Sequence, residues 1–218
     1  MPPVRPRDAA SLILLRGDGA RTQVLMGRRR SKAAFLPDAY VFPGGRLDPH
    51  DAAPAPARAL NPDVVANMTR ARAASPARAA ALANAAIRET FEETGLLLAR
   101  PGAPLSDAAG TWADFAARGV APDHAALSYL GRAITPPESP IRFHARFFIA
   151  RLDGDGGALG GSGELIDLQW LPPEEALRLP IIDVTEFMLR ETLRILETPD
   201  ARTPLFSYRR NRPFVRYL

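Results

Sequence analysis

The chain contains no cysteine. That excludes disulfide bonds and cysteine-ligated zinc. Lysine is nearly absent: Lys32 is the only one, and the remaining basic residues are arginine. No stretch approaches the ~18 uninterrupted apolar residues of a membrane span. Met1-Pro2-Pro3-Val4-Arg5-Pro6 has no apolar run behind it, so no signal peptide is expected. A cytoplasmic protein without a membrane partner is the default expectation. There is also no basic stripe interleaved with aromatics, and the net charge of +4 is spread along the chain. Nucleic acid is therefore disfavoured as a partner, while a phosphorylated small molecule suits the positive balance.

What is present is a globular composition. The 218 residues are 46% hydrophobic, which is enough for a real core and points to a single domain over 1–218. Ser11 to Arg16 and Gln23 to Arg28 read as a hairpin broken at Gly17-Asp18-Gly19. Val41-Phe42-Pro43-Gly44-Gly45 reads as a strand ending in a glycine turn, which frees backbone carbonyls and lets a phosphate approach closely. Asn61 caps a short helix to Arg72 with Pro62 at its first position. Ser75-Pro76 starts a longer one, from about Ala77 to Thr94, with Gly95 as its cap. Further strands are expected at Leu96–Ala99, Ser128–Ile134, Phe143–Leu152 and Leu165–Leu171, and helices at Thr111–Arg118, Pro172–Leu179 and Val184–Leu196. Asp153 to Gly163 is a glycine-dense loop. The arginine-rich tail from Pro204 to Leu218 reads equally as a last strand, a homodimer contact or an anion-binding arm. Mixed strands with a few helices give an α+β class, a mixed sheet sandwiched between helices.

The densest chemistry lies in Arg88-Glu89-Thr90-Phe91-Glu92-Glu93-Thr94-Gly95. At ~100° per residue, Glu89, Glu92 and Glu93 share one helix face. Like charges there repel, and a hard divalent cation held by carboxylate oxygens turns that repulsion into attraction. The bland alternative is a solvated helix with an i,i+4 ion pair.

These two segments together resemble the signature of the Nudix hydrolases, which cleave diphosphate linkages with Mg2+ or Mn2+. Gly45 is followed, after five intervening residues, by Asp51, in the place of the family's first glutamate. Arg88, Glu89, Glu92, Glu93, Gly95 and Leu96 fill the second half of the pattern, and Thr90 stands where an aliphatic residue is usual. Residues 52 to 87 number 36 where the family pattern has seven, so an insert occupies about 52–80. A long insert at this place, together with Phe35 to Gly45, Thr135-Pro136-Pro137 and Arg142 to Phe148, is similar to the branch of peroxisomal coenzyme A diphosphatases.

The resemblance implies the Nudix fold and a metal-dependent diphosphatase acting on a nucleotide-derived metabolite. Coenzyme A or an acyl-CoA comes first, with ADP-ribose, NADH and dinucleoside polyphosphates open. The alternative is a Nudix-fold binding or regulatory module without turnover. By the same resemblance Glu92 and Glu93 bind metal directly, with Glu89 and the Gly45 carbonyl adding ligands. Arg88 orients a carboxylate by a bidentate pair. Glu164, after the glycine-dense loop, resembles the late glutamate that serves as general base; the alternative is a hairpin-edge glutamate in water. Arg28, Arg29 and Arg30, at the end of the second strand, and Arg142, alternating with His144 on a later one, are candidates to hold substrate phosphates beside Gly44; the alternative for the arginine trio is a solvated charge cluster. The insert carries Arg58, Arg70, Arg72 and Arg78 and no glutamate or histidine. It can supply no carboxylate cluster of its own; it is either a reach toward a distal phosphate or a solvent-facing excursion.

Overall fold

The computed structural model describes residues 4–33, 35–70, 75–103, 105, 108–152, 158–199 and 202–218. In chain order the strands and helices are β1 (Arg7–Arg16), β2 (Gln23–Arg29), β3 (Tyr40–Val41), β4 (Gly44–Arg46), α1 (Pro62–Arg70), α2 (Pro76–Thr94), β5 (Ala99–Pro101), α3 (Thr111–Ala117), β6 (Val120–Pro122), β7 (Ser128–Ile134), β8 (Phe143–Arg151), β9 (Leu165–Leu171), α4 (Pro173–Ala176), α5 (Asp183–Glu197), β10 (Pro204–Arg209) and β11 (Arg212–Tyr217). Among the described residues, β11-β10-β7-β8-β1-β2-β3 form one sheet, with β4 added beside β1 and β9 beside β2. β1–β8 and β7–β10 are parallel and the other pairs antiparallel, so the sheet is mixed.

The apolar run of β1 shows why helices cover both faces. Leu12 and Leu14 point into a core shared with α1, α2 and α3, while Ile13 and Leu15 point into a second core under α4 and α5. All four are fully buried, as a strand covered on both sides requires. The fold is thus α+β, a mixed sheet sandwiched between helices.

α2 begins at Ser75, whose hydroxyl accepts from the Arg78 amide at 3.2 Å, and ends at Gly95 in the left-handed region. Its inner face is lined by Ala79, Ala83 and Ala86, all fully buried, which lets it lie close to the sheet. Thr90, at the expected aliphatic position, is buried and bonds back to the Ala86 carbonyl at 2.8 Å, so its hydroxyl is satisfied without a partner outside the helix.

Several expectations shift. Leu96 and Leu98 are buried, but residues 96–98 are not a strand; the strand starts at Ala99 and pairs with β6, which has no sequence pattern of its own. Gly44 and Gly45 form the strand β4, paired with β1, and not a free turn. The tail is a hairpin, β10–β11, joined to the sheet through β7. Arg72 and most of the Asp153-to-Gly163 loop's first half lie outside the described residues. The insert is no solvated excursion: Leu60, Val64 and Met68 are buried in the α2-side core, and Arg58 pairs with buried Asp123. Among the described residues, no helix is long and apolar enough to cross a membrane.

Candidate active site

The last turns of α2 lie beside β4. The Gly44 amide donates to Glu93 Oε2 at 2.8 Å. A Cβ on Gly45 would stand 2.4 Å from Glu89 Oε1, so only glycine admits the carboxylate there. Burial is the main influence on both glutamates. It raises Glu89 to about 7 against the opposing charge of Arg88, and raises Glu93 well above the ordinary range against the Gly44 amide.

Arg88 is turned into the protein. Its Nε and Nη2 hold both oxygens of Asp51 at 2.8 and 3.0 Å, its Nη1 reaches Glu89 and Glu92 at 2.9 Å each, and Nη2 also donates to the Arg46 carbonyl. Burial opposes its charge, but the Asp51 hydrogen bonds and the surrounding carboxylates outweigh that, so its pKa is raised. Asp51 is fully buried and also accepts from the Asp48 amide and, at 3.3 Å, from Trp112 Nε1. The 3-10 turn over Pro49–Ala52 carries it inward, so a side chain shorter than glutamate still reaches. Glu92 is held by Arg88 through one oxygen and by the Thr111 hydroxyl through the other.

The loop around Gly160 to Ser162 closes on the end of α2. Gly160 and Ser162 amides donate to the Thr94 and Glu92 carbonyls at 2.8 and 2.7 Å. These carbonyls would otherwise lack partners at a helix end. A Cβ on Gly161 would meet the Glu93 carbonyl at 2.5 Å. This docking brings Glu164 to the rim of a cavity of about 580 Å3 that Glu89, Glu92, Gly44, Gly45 and Arg29 also line. Glu164 Oε1 lies 3.5 Å from Arg29 Nη2, and its side chain is largely exposed.

Two expected phosphate ligands stand elsewhere. Arg28 is held by Asp167 at 2.7 Å and Asp38 at 3.0 Å and does not line the cavity; its neighbour Arg29 does. Arg142 is buried and donates to the Val4 and Thr135 carbonyls, which makes it a backbone strap. On β8 the alternation has the other parity: Phe143 and Ala145 face the cavity, and His144 faces away. Burial and then Arg146 and Arg132 lower His144 to about 3. Trp170 packs with the core under Arg16. Sequence reasoning missed Thr111 and Trp112, which bond Glu92 and Asp51; neither has a local pattern that marks it.

The donors at α2 are all oxygen, which is the chemistry of Mg2+ or Mn2+. Among the described residues, no three carboxylate or imidazole groups converge on one point as they stand. Glu92 would have to turn from Thr111 and Glu93 from the Gly44 amide. The donor set fits the ion once they do, and two buried carboxylates with raised pKa gain from a cation.

No protein-family profile matches the chain. A Caenorhabditis elegans protein whose name assigns it to the nudix hydrolases is 27% identical over 187 residues, 78% of this chain and 53% of that one. The chain therefore spans about half the length of that relative. The crystal structure of a NUDIX hydrolase from Alicyclobacillus acidocaldarius superposes with a TM-score of 0.66 at 30% identity, covering 90% of this chain and 94% of the other. The chain belongs to the Nudix hydrolases. The Nudix fold is found again in the NUDIX domain of Shewanella oneidensis NrtR crystallised with ADP ribose, at 13% identity, 88% and 90% coverage and a TM-score of 0.52. Nudix hydrolases generally use divalent metal ions such as Mg2+ or Mn2+. In this Nudix chain the two halves of the pattern, with 36 residues between Asp51 and Arg88, meet through the Asp51–Arg88 pair.

Proposed function

We propose that the chain is one Nudix domain over 1–218, with its insert at about 52–80, that hydrolyses a diphosphate linkage in a nucleotide-derived metabolite with Mg2+ or Mn2+. The observation that carries this is the cluster of carboxylates at the end of α2, Glu89 and Glu93 raised in pKa by desolvation, with Glu89 and Glu92 opening beside Arg29 onto one cavity. Glu89, Glu92, Glu93 and the Gly45 carbonyl would hold the metal. When bound, it supplies charge neutralisation at the diphosphate and a more acidic water. Arg88 fixes Glu89 and Glu92 in place. Arg29 balances phosphate charge at the rim, and Gly44 lines the cavity next to it, packed against Ser11 of β1. Glu164, across from the glutamates, takes the proton of the attacking water.

Coenzyme A or an acyl-CoA is the first substrate to try, followed by ADP-ribose, NADH and dinucleoside polyphosphates. The test is a panel of these with Mg2+ or Mn2+ and products identified by mass. Glu93→Gln keeps the size and removes the charge, so it should abolish cleavage while the protein still folds. Undiminished turnover in that variant, or in excess chelator, would overturn the metal reading. Tight nucleotide binding with no turnover under either metal would instead favour a binding module.

A further inference from the structure

The organic half of the cavity has its own geometry. Strand registers place Ala133 opposite Ala145, and Ala145 opposite Ala9. All three line the cavity. They form a row of methyl groups across β7, β8 and β1, and such a row is flat. Phe143 and Phe147 flank Ala145 at two residues on either side of β8, so their rings rise from the same face. Phe35 packs edge-on against Phe143 at 5.2 Å. The result is a flat floor with aromatic walls.

The row runs toward the chemistry. Ala9 pairs with Arg46 on β4, next to Gly45 and the α2 glutamates. At ~4.8 Å per strand, Ala133 to Ala9 spans ~10 Å, and β4 lies one spacing farther. A planar ring on the alanines would sit a sugar and a phosphate away from the carboxylates. At the far end Phe206 pairs with Ala133 and closes the row.

A carboxylate stands at this end, beside the hydroxyls of Thr185 and Tyr208. Asp183, the first residue of α5, lines the cavity. The Tyr208 hydroxyl lies 2.7 Å from both of its oxygens, and the Val184 amide donates to Oδ1 at 2.8 Å. Tyrosine and amide fix the carboxylate while Oδ2 keeps acceptor capacity. A fixed carboxylate repels phosphates and carbonyl oxygens and rewards a ligand edge that donates.

We propose that the alanine row seats a purine base and that Asp183 accepts a hydrogen bond from its exocyclic amino group, so that the enzyme selects an adenine nucleotide over the hypoxanthine counterpart. This rests on the diphosphatase reading for the phosphate end and specifies the other end. Coenzyme A, ADP-ribose and NADH all carry adenine, so the assignment also says which end of each enters the cavity.

The test is calorimetric titration of the Mg2+-loaded protein with ADP and with IDP, in which the 6-amino donor is replaced by a carbonyl acceptor and N1 carries a proton. The wild type should bind ADP ~10-fold or more tightly, the range of a hydrogen bond to a charged partner. Asp183→Asn keeps an oxygen to accept from the Val184 amide and gains an amide donor for the hypoxanthine carbonyl. Its preference should fall to near unity or reverse. Ala145→Leu, or the smaller Ala145→Val if leucine does not fold, should weaken both nucleotides ~10-fold or more while the thermal melt stays cooperative. Equal affinities in the wild type, an unchanged preference in Asp183→Asn, or undiminished binding in the Ala145 variant would each overturn the proposal. Cleavage assays on ADP-ribose separate the two readings. Selective ADP binding without cleavage under either metal would sink the diphosphatase and leave the base site. Cleavage without base preference would do the reverse.

Discussion

Arg88 makes its described contacts to protein, and the most informative of them is Asp51. The guanidinium is one scaffold on which Asp51, Glu89 and Glu92 are hung. Without a cation, that scaffold leaves Glu89 with a folded pKa of about 7 against an ordinary 4.5, because burial disfavours its charge. A raised carboxylate means the folded state holds the proton more tightly. Its stabilising share is full below pH ~4.5 and is lost as the pH climbs through ~7. Chelated wild type should therefore lose Tm over that window relative to chelated Glu89→Gln, which has nothing to titrate there. Added Mg2+ should recover more Tm at pH 8 than at pH 5. Parallel Tm curves for the two proteins would remove the buried-carboxylate account. Glu164 tests a different role. If it accepts the proton of water in the transition state, Glu164→Gln should lower kcat by ~10²–10⁴ and hardly move KM. A loss of less than a few-fold would return it to the exposed rim residue that its solvent contact also allows.

At the scale of elements, the site is the meeting of a helix end with two loops. The segment around Gly160 to Ser162 satisfies carbonyls at the end of α2 and in doing so sets the position of Glu164. Gly161 has φ 124° and no room for a methyl group against the Glu93 carbonyl. Gly161→Ala should cost ~1–3 kcal/mol of stability from backbone strain and overpacking. It should also reduce kcat while leaving Mn2+ affinity within a few-fold, since the glutamates proposed to hold the metal sit on α2. A wild-type kcat in a folded Gly161→Ala protein would show that the loop does not place a catalytic group. α3 acts on the same network from outside, through Thr111 on Glu92 and Trp112 on Asp51.

Across the whole molecule, the insert sits away from the cavity. No described residue between 52 and 80 lines it. Arg58 is tied to Asp123 and Arg78 to Asp8, while Asn84 of α2 holds the Asp51 and Pro54 carbonyls. Met68 is fully buried, and Leu60 and Val64 nearly so. Replacing the insert by a short linker should therefore destabilise the protein rather than reorder its substrates. Burial of a single large apolar side chain is worth ~1.5–3 kcal/mol, so losing these three together should lower the urea midpoint markedly. A shortened protein as stable as the parent, with a changed substrate ranking, would restore the recognition role.

The sequence by itself determined what depends on neighbours in the chain. The helix from Pro76 to Thr94, its serine and glycine caps and the shared face of Glu89, Glu92 and Glu93 follow from local spacing, and so do β7 and β9 to the residue. Parity was legible only up to a shift of one. Nothing local says whether Phe143 or His144 faces the cavity, because each face of β8 is covered by a helix. Asp51 and Arg88 are 37 positions apart. Their pairing waits on a turn and a helix packing together, and the insert's place in the core waits on the same packing. The alanine row is wholly tertiary: Ala9, Ala133 and Ala145 are ordinary alanines until the registers of three strands set them side by side.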